Sequence, residues 1–200
     1  MSDEPDGAQE EWAEAQSFGE LCELTARFIE GDLAYMPGYL AEGVAEETNP
    51  IAPYLANLNR SGFLTVCSQP GQDEPDWKQR AFVDGFALEP VARQLAKVTL
   101  ATDLLVVAAP PGYHTGYRLP VILRDFQPHG WSGSTGFEEL EFFHEDCGLF
   151  AFAQLSEAWS VSVVDLVWGR ERHIWEELAR AISYSEKPHP DLDNGTDFLM

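Results

Sequence analysis

Positive charge is scarce in this sequence. Twelve Lys and Arg stand against 34 Asp and Glu in 200 residues, giving a formal net charge of −22 and a pI near 4.3. Such a chain repels a phosphate backbone instead of releasing counterions from it, so nucleic acid is not an expected partner. Cysteine is scarce too. Cys22, Cys67 and Cys147 are odd in number, far apart and never spaced C-x-x-C, which fits reduced thiols and argues against a disulfide framework. No run approaches the roughly eighteen apolar residues of a membrane span, and the N-terminus is acidic where a signal peptide is basic. The expectation is a soluble cytoplasmic protein with no membrane partner.

Other absences narrow the chemistry. Neither G-x-G-x-x-G nor G-x-x-x-x-G-K-[ST] occurs, so neither common phosphate cradle is encoded. The Gly-rich "HGWSGSTG", His129 to Gly136, reads as a mobile loop. The histidines, His114, His129, His144, His173 and His189, never take the i, i+4 spacing of a zinc site. In "FFHEDC" the side-by-side His144, Glu145, Asp146 and Cys147 would point to different helix faces, so no metal is expected. Cys67 with His114 is the one nucleophile-and-base pairing on offer, and a thiol within an apolar strand reads more simply as core. No catalytic residue can be named.

What the chain does have is apolar mass, with 44% hydrophobic and 12% aromatic residues, enough for a single core. Residues 1–16 carry six acids, no base and one large apolar group, Trp12, and read as a flexible acidic arm. Residues 17–183 are expected to form one domain, and 184–200, polar and proline-bearing, a tail. Ser17 and Glu20 make a capping-box pair, followed by Phe18, Leu21, Leu24, Phe28 and Ile29 at helical spacing until Gly31. "DLAYMPGYLAEGV", Asp32 to Val44, has no period and reads as a packed loop.

The spacing then predicts a helix with Thr48 as N-cap, Pro50 in its first turn and Ile51, Leu55 and Leu58 as its apolar stripe, closed by Ser61-Gly62. "GFLTVCSQ" and "QRAFVDGFA" read as strands of an antiparallel hairpin joined by the turn-rich "PGQDEPDW". Glu89-Pro90 opens a helix. "LLVVAA" reads as a strand covered on both faces, and "YRLPVILRD" as one that Pro120 restricts to an edge or a bulge. "GFEELEFFHEDCG" is helix-like, "AWSVSVVDLVW" alternates as a half-buried strand, and Ile174, Trp175, Leu178 and Ile182 mark a closing helix. The fold class is mixed α/β: a mixed central sheet with a hairpin, flanked by helices.

One block carries a resemblance. Glu47-Thr48, a helix ending in "LNRSG", then "FLTVCSQPG" is similar to the C-terminal regulatory domain of eukaryotic-type methylenetetrahydrofolate reductase, where S-adenosylmethionine binds. "QRAFVDGFA", "AWSVSVVDLVWGRERHIWEEL" and "FGELCELTARFIEGDL" resemble further parts of that domain in the same order, so the similarity runs from about Ser17 to Ile182. It implies ligand contacts at Glu47, Thr48, Thr65 and Ser68, and, by a looser match in "HTGY", at Thr115. It also implies a domain that binds S-adenosylmethionine, S-adenosylhomocysteine or a related nucleoside. The reductase's catalytic barrel and ligand-covering linker have no counterpart in the sequence, so a cover from Trp131 or from the arm with Trp12 is expected. Two alternatives stand beside this reading: an enzyme acting on S-adenosylmethionine, and an acidic protein that binds or inhibits a protein partner without a ligand.

Overall fold

The computed structural model describes residues 7–39, 43–113, 116–133 and 137–183. The tail expected at 184–200 lies outside the described residues. The arm expected at 1–16 is helical from its seventh residue: α1 spans Gly7–Glu14 and buries Trp12 completely. The Trp12 ring meets Phe143 edge-on at 5.9 Å, and its Nε1 donates to the Tyr35 carbonyl at 3.0 Å. Burying a side chain of that size contributes about 2–3 kcal/mol, which outweighs the repulsion among acids that remain in water. One of those acids, Glu11, pairs with Arg27, whose guanidinium holds its carboxyl below the usual range.

Helix α2, Phe18–Glu30, starts and stops where its sequence signals stand. The Ser17 Oγ accepts from Glu20 N at 3.2 Å, the Glu20 carboxylate accepts from Gln16 N, and Gly31 closes the helix at φ 85°. The next helix begins later than its own signals indicate. Glu46–Thr48 forms a 3-10 turn, and α3 spans Ala52–Arg60 with Ile51, not Thr48, at the N-cap position. Pro50 and Pro53 both lack an amide, so α-helical bonding first appears when Leu55 N reaches Ile51 O at 3.1 Å. Thr48 is thereby released from capping.

The remaining elements are β1 (Phe63–Gln69), β2 (Gln72–Glu74), β3 (Trp77–Gln79), β4 (Phe82–Ala87), α4 (Glu89–Ala96), β5 (Leu104–Ala109), β6 (Leu119–Arg124), β7 (Gln127–Ser132), α5 (Phe137–Asp146), α6 (Leu149–Ser156), β8 (Trp159–Asp165) and α7 (His173–Ser183). They complete the mixed α/β fold. The strands divide into two antiparallel sheets ordered β1-β4-β8-β5 and β2-β3-β6-β7, where a single sheet was expected. The expected hairpin is present as β1 against β4, from Phe63↔Ala87 to Gln69↔Phe82. Its connection is itself the β2/β3 hairpin, which founds the second sheet.

Two strands differ from expectation in exposure. β5 is an edge strand with only Leu104 and Ala109 buried, whereas β8 lies between β4 and β5 and is buried from Val161 to Asp165. An apolar run alone does not distinguish these positions. Pro120 sits in β6 at a register shift, the bulge its missing amide requires. Helices α2, α3 and α7 cover one face of the first sheet, with Phe28, Leu55, Leu58, Phe63, Val163, Trp175 and Leu178 in a common core. Phe82, Val164 and Val121 form a small cluster of their own, linking the first sheet to β6. Among the described residues no helix is long and apolar enough to cross a membrane.

Candidate functional site

The decisive irregularity lies in the edge strand β1. Residues three apart in a regular strand point to opposite faces, which would separate Thr65 from Ser68. Here Thr65 pairs with Gly85, Cys67 with Asp84 and Ser68 with Val83, with a register shift between Thr65 and Cys67. The bulge absorbs Val66, and because Gly85 and Val83 share a face of β4, Thr65 and Ser68 share one as well. Gly85 permits this: a Cβ there would lie 2.1 Å from the Leu64 carbonyl oxygen.

Thr65 and Ser68 thereby border a cleft of about 230 Å³ whose lining also includes Glu47 and Thr48. Four of the five expected site residues come together. The fifth, Thr115, lies outside the described residues, as does His114. Thr48 and Thr65 are buried, Ser68 is half-buried and Glu47 is exposed at the rim. Among the described residues Glu47 is the one charged group in the lining. Its carboxylate biases the cleft toward a cation.

Asn59 is the residue that sequence reasoning missed. Fully buried at the end of α3, it accepts from Thr65 N at 3.0 Å and donates through Nδ2 to Thr65 Oγ1 and to the Leu55 carbonyl, both at 2.8 Å. Because the Thr65 oxygen accepts from Asn59, its proton is the part left to donate into the cleft. The neighbouring letters of "LNRSG" fasten the same corner. Arg60 binds Glu23 at 3.0 Å and Glu30 at 2.7 Å on α2, and that hydrogen bond holds the Glu30 carboxyl below its usual range. Gly62 makes the turn into β1 at φ 88°.

The apolar wall comes from α2, α3 and the segment expected to be a packed loop: Phe28, Ile29, Leu55, Met36, Tyr39 and Val44. Tyr39 meets Phe28 edge-on at 5.2 Å. The segment's described residues Met36, Tyr39 and Val44 wall the cleft beside β1. Trp12 is held in the core by α1, and Trp131 sits in β7 with the Arg118 guanidinium 5.0 Å from its ring, so neither lines the cleft. Gln69 does line it, and its Oε1 is shielded from solvent without a hydrogen-bond partner. An unmet buried acceptor costs about 1–3 kcal/mol, so a protein seldom keeps one without use.

Cys67 departs from the core reading: it is exposed and borders the cleft, whereas Cys22 and Cys147 are buried and their thiols are pushed up to about 12 and about 11 by that burial. A larger depression of about 520 Å³ lies between α4 and α7, lined by Gln94, Lys97, Val98, Arg180 and Ala181 among others. Among the described residues its lining includes none of Glu47, Thr48, Thr65 and Ser68. The smaller cleft has the denser polar chemistry: a carboxylate, three hydroxyls and a carboxamide facing aromatic and thioether walls. That set can bind and orient a polar ligand.

Over 63 residues, 31% of this chain, the sequence is 40% identical to "Methylenetetrahydrofolate reductase (NADH) 1" of maize (Zea mays). The matched stretch is 11% of that enzyme, so the chain is related to a small part of it. A family model described as "Domain of unknown function (DUF6919)" matches residues 7–185, from the first turn of α1 to just past α7, and the chain belongs to that family.

Proposed function

We propose that this domain binds S-adenosylmethionine, S-adenosylhomocysteine or a closely related adenosyl compound in the cleft beside β1. The observation that carries the reading is the convergence of Glu47, Thr48, Thr65 and Ser68, which the bulge at Val66 makes possible. The partial similarity to a methylenetetrahydrofolate reductase supports it. An exposed carboxylate suits an ammonium or sulfonium, the hydroxyls suit ribose or a carboxylate, and Tyr39 and Phe28 give a base an aromatic wall. The cleft is smaller than the usual ~300–1,000 Å³ of ligand pockets, so the ligand would be enclosed on one side and open on the other. Reductase chemistry is no part of this proposal, nor is any reaction on the ligand.

The test is a thermal-shift panel of S-adenosylmethionine, S-adenosylhomocysteine, adenosine and methionine, followed by calorimetry. Saturable stabilisation by an adenosyl compound, and by neither fragment as strongly, is the expected result. If none shifts the melting temperature, the protein-partner reading leads instead. Phe142, Leu149 and Phe150, 49%, 78% and 70% exposed on α5 and α6, are where such a partner would sit.

A further inference from the structure

Resting on that reading, we infer that Gln69 is the residue that selects the base, its carboxamide taking the amino edge of adenine. Gln69 follows Ser68 on the bulged strand and lines the same cleft. Its Oε1 is closed off from water and has no donor, and among the described residues its side chain makes no hydrogen bond. Gln79, in β3 of the second sheet, is a contrast. Gln79 accepts from Trp77 Nε1 at 3.2 Å and donates to the Pro70 carbonyl at 2.7 Å, so both of its ends are committed. Gln69 has the same two functions and neither is spent.

An adenosyl ligand offers three kinds of donor to an idle acceptor. The α-ammonium is cationic and has its match in the Glu47 carboxylate at the rim. Ribose hydroxyls both give and take, and are matched by Thr48, Thr65 and Ser68, which do the same. The adenine 6-amino group is a neutral donor next to a ring-nitrogen acceptor, and a primary carboxamide is the side chain that presents the reciprocal acceptor and donor in one plane. Among the described residues Gln69 is the one carboxamide in the lining. Gln69 pairs with Phe82 at the end of the β1/β4 ladder, which holds its backbone more firmly than a loop would.

The experiment is calorimetric titration of the full chain with S-adenosylhomocysteine and with its 6-oxo counterpart, S-inosylhomocysteine. The parent protein should bind the 6-amino ligand at least tenfold more tightly, the usual order for a bidentate amide contact with a base. Gln69→Leu should bring the two affinities within about twofold, without lowering the melting temperature, because leucine removes an unmet acceptor. Gln69→Glu keeps an acceptor facing the amino group and should keep the preference, which provides a readout should the leucine variant not fold. A parent that binds both ligands equally, or a leucine variant that keeps the parent's ratio, overturns the assignment while leaving the cleft's ligand class standing. A parent that binds neither ligand overturns both.

Discussion

The two sheets use the same antiparallel pairing and are held by different means. The first is fixed from inside. Its β4 strand is buried along its whole length, its edge strand β1 is tied to α3 through Asn59, and its helices share one core. The second joins the first through the small Phe82, Val121 and Val164 cluster and is otherwise held at its surface. β2 is fully exposed, and aromatic and cationic side chains pair on its surface: Trp77 with His129 at 5.9 Å and Arg118 with Trp131 at 5.0 Å. Both sheets contain a bulge, but the bulge in β1 aims two hydroxyls into a cleft, and the one in β6 accommodates a proline. Precision in a site requires rigid support around it, which only the first sheet has.

A methyl group added to each sheet separates the two most sharply. Gly85→Ala would place Cβ 2.1 Å from a carbonyl of β1, a clash with backbone, whereas Gly130→Ala in β7 would meet the Ile122 side chain at 2.8 Å, which can turn aside. The first should cost about 3 kcal/mol or more or prevent folding, and the second about 1 kcal/mol. Urea unfolding of both variants measures the gap. Equal costs would mean that the β1 bulge is not under tight constraint.

Asn59→Ala should come next. It removes three hydrogen bonds and leaves Thr65 N without its Asn59 acceptor in the core, at about 2–4 kcal/mol of stability. Adenosyl affinity should fall with it, because Thr65 loses its orientation. Glu47→Ala should separate the two quantities: unchanged melting temperature, and ligand affinity weaker by about 1.5–3 kcal/mol in calorimetry. Trp131→Leu, in the second sheet, should cost about 0.5–1 kcal/mol through its lost cation-π pairing and leave ligand affinity as it was.

The smallest effect is expected with acid. The Arg170 hydrogen bond lowers the Asp103 carboxyl from its ordinary value to about 2, helped by His173. A carboxyl whose folded pKa is depressed adds stability above its unfolded value and loses it as pH falls through the folded one. The contribution is therefore complete above about pH 4 and gone near pH 2. Melting temperatures of the parent and Asp103→Asn should converge across that window. Curves that stay parallel would show that this pair does not contribute.

Local signals were legible wherever the chain obeys them locally. Ser17, Gly31 and the apolar spacing between them placed α2, and the order of helix, turn and strand around Ala45–Gly71 followed from prolines, glycine and alternation. The cleft's polar residues were named from a resemblance, but not the device that gathers them. A bulge depends on the partner strand, and nothing in "FLTVCSQ" itself marks Val66 as the extra residue. Asn59 was hidden for a like reason, since its partners lie on β1, across a turn. Trp12 was misjudged because the acids around it set the local composition, while its burial depends on Tyr35 and Phe143, which are distant in sequence. Thr48 satisfied a capping rule that Pro53, five residues on, overrode.

The bulge has one more effect, on what the protein does among its own copies. β1 ends the first sheet, and a straight edge strand exposes a row of amides and carbonyls that can template pairing with another chain. With Val66 displaced from register, β1 cannot offer that row in step over its length. Deleting Val66 would restore it: Thr65 and Ser68 would still share a face, now by plain alternation, and the molecule would gain an edge on which a second molecule can grow.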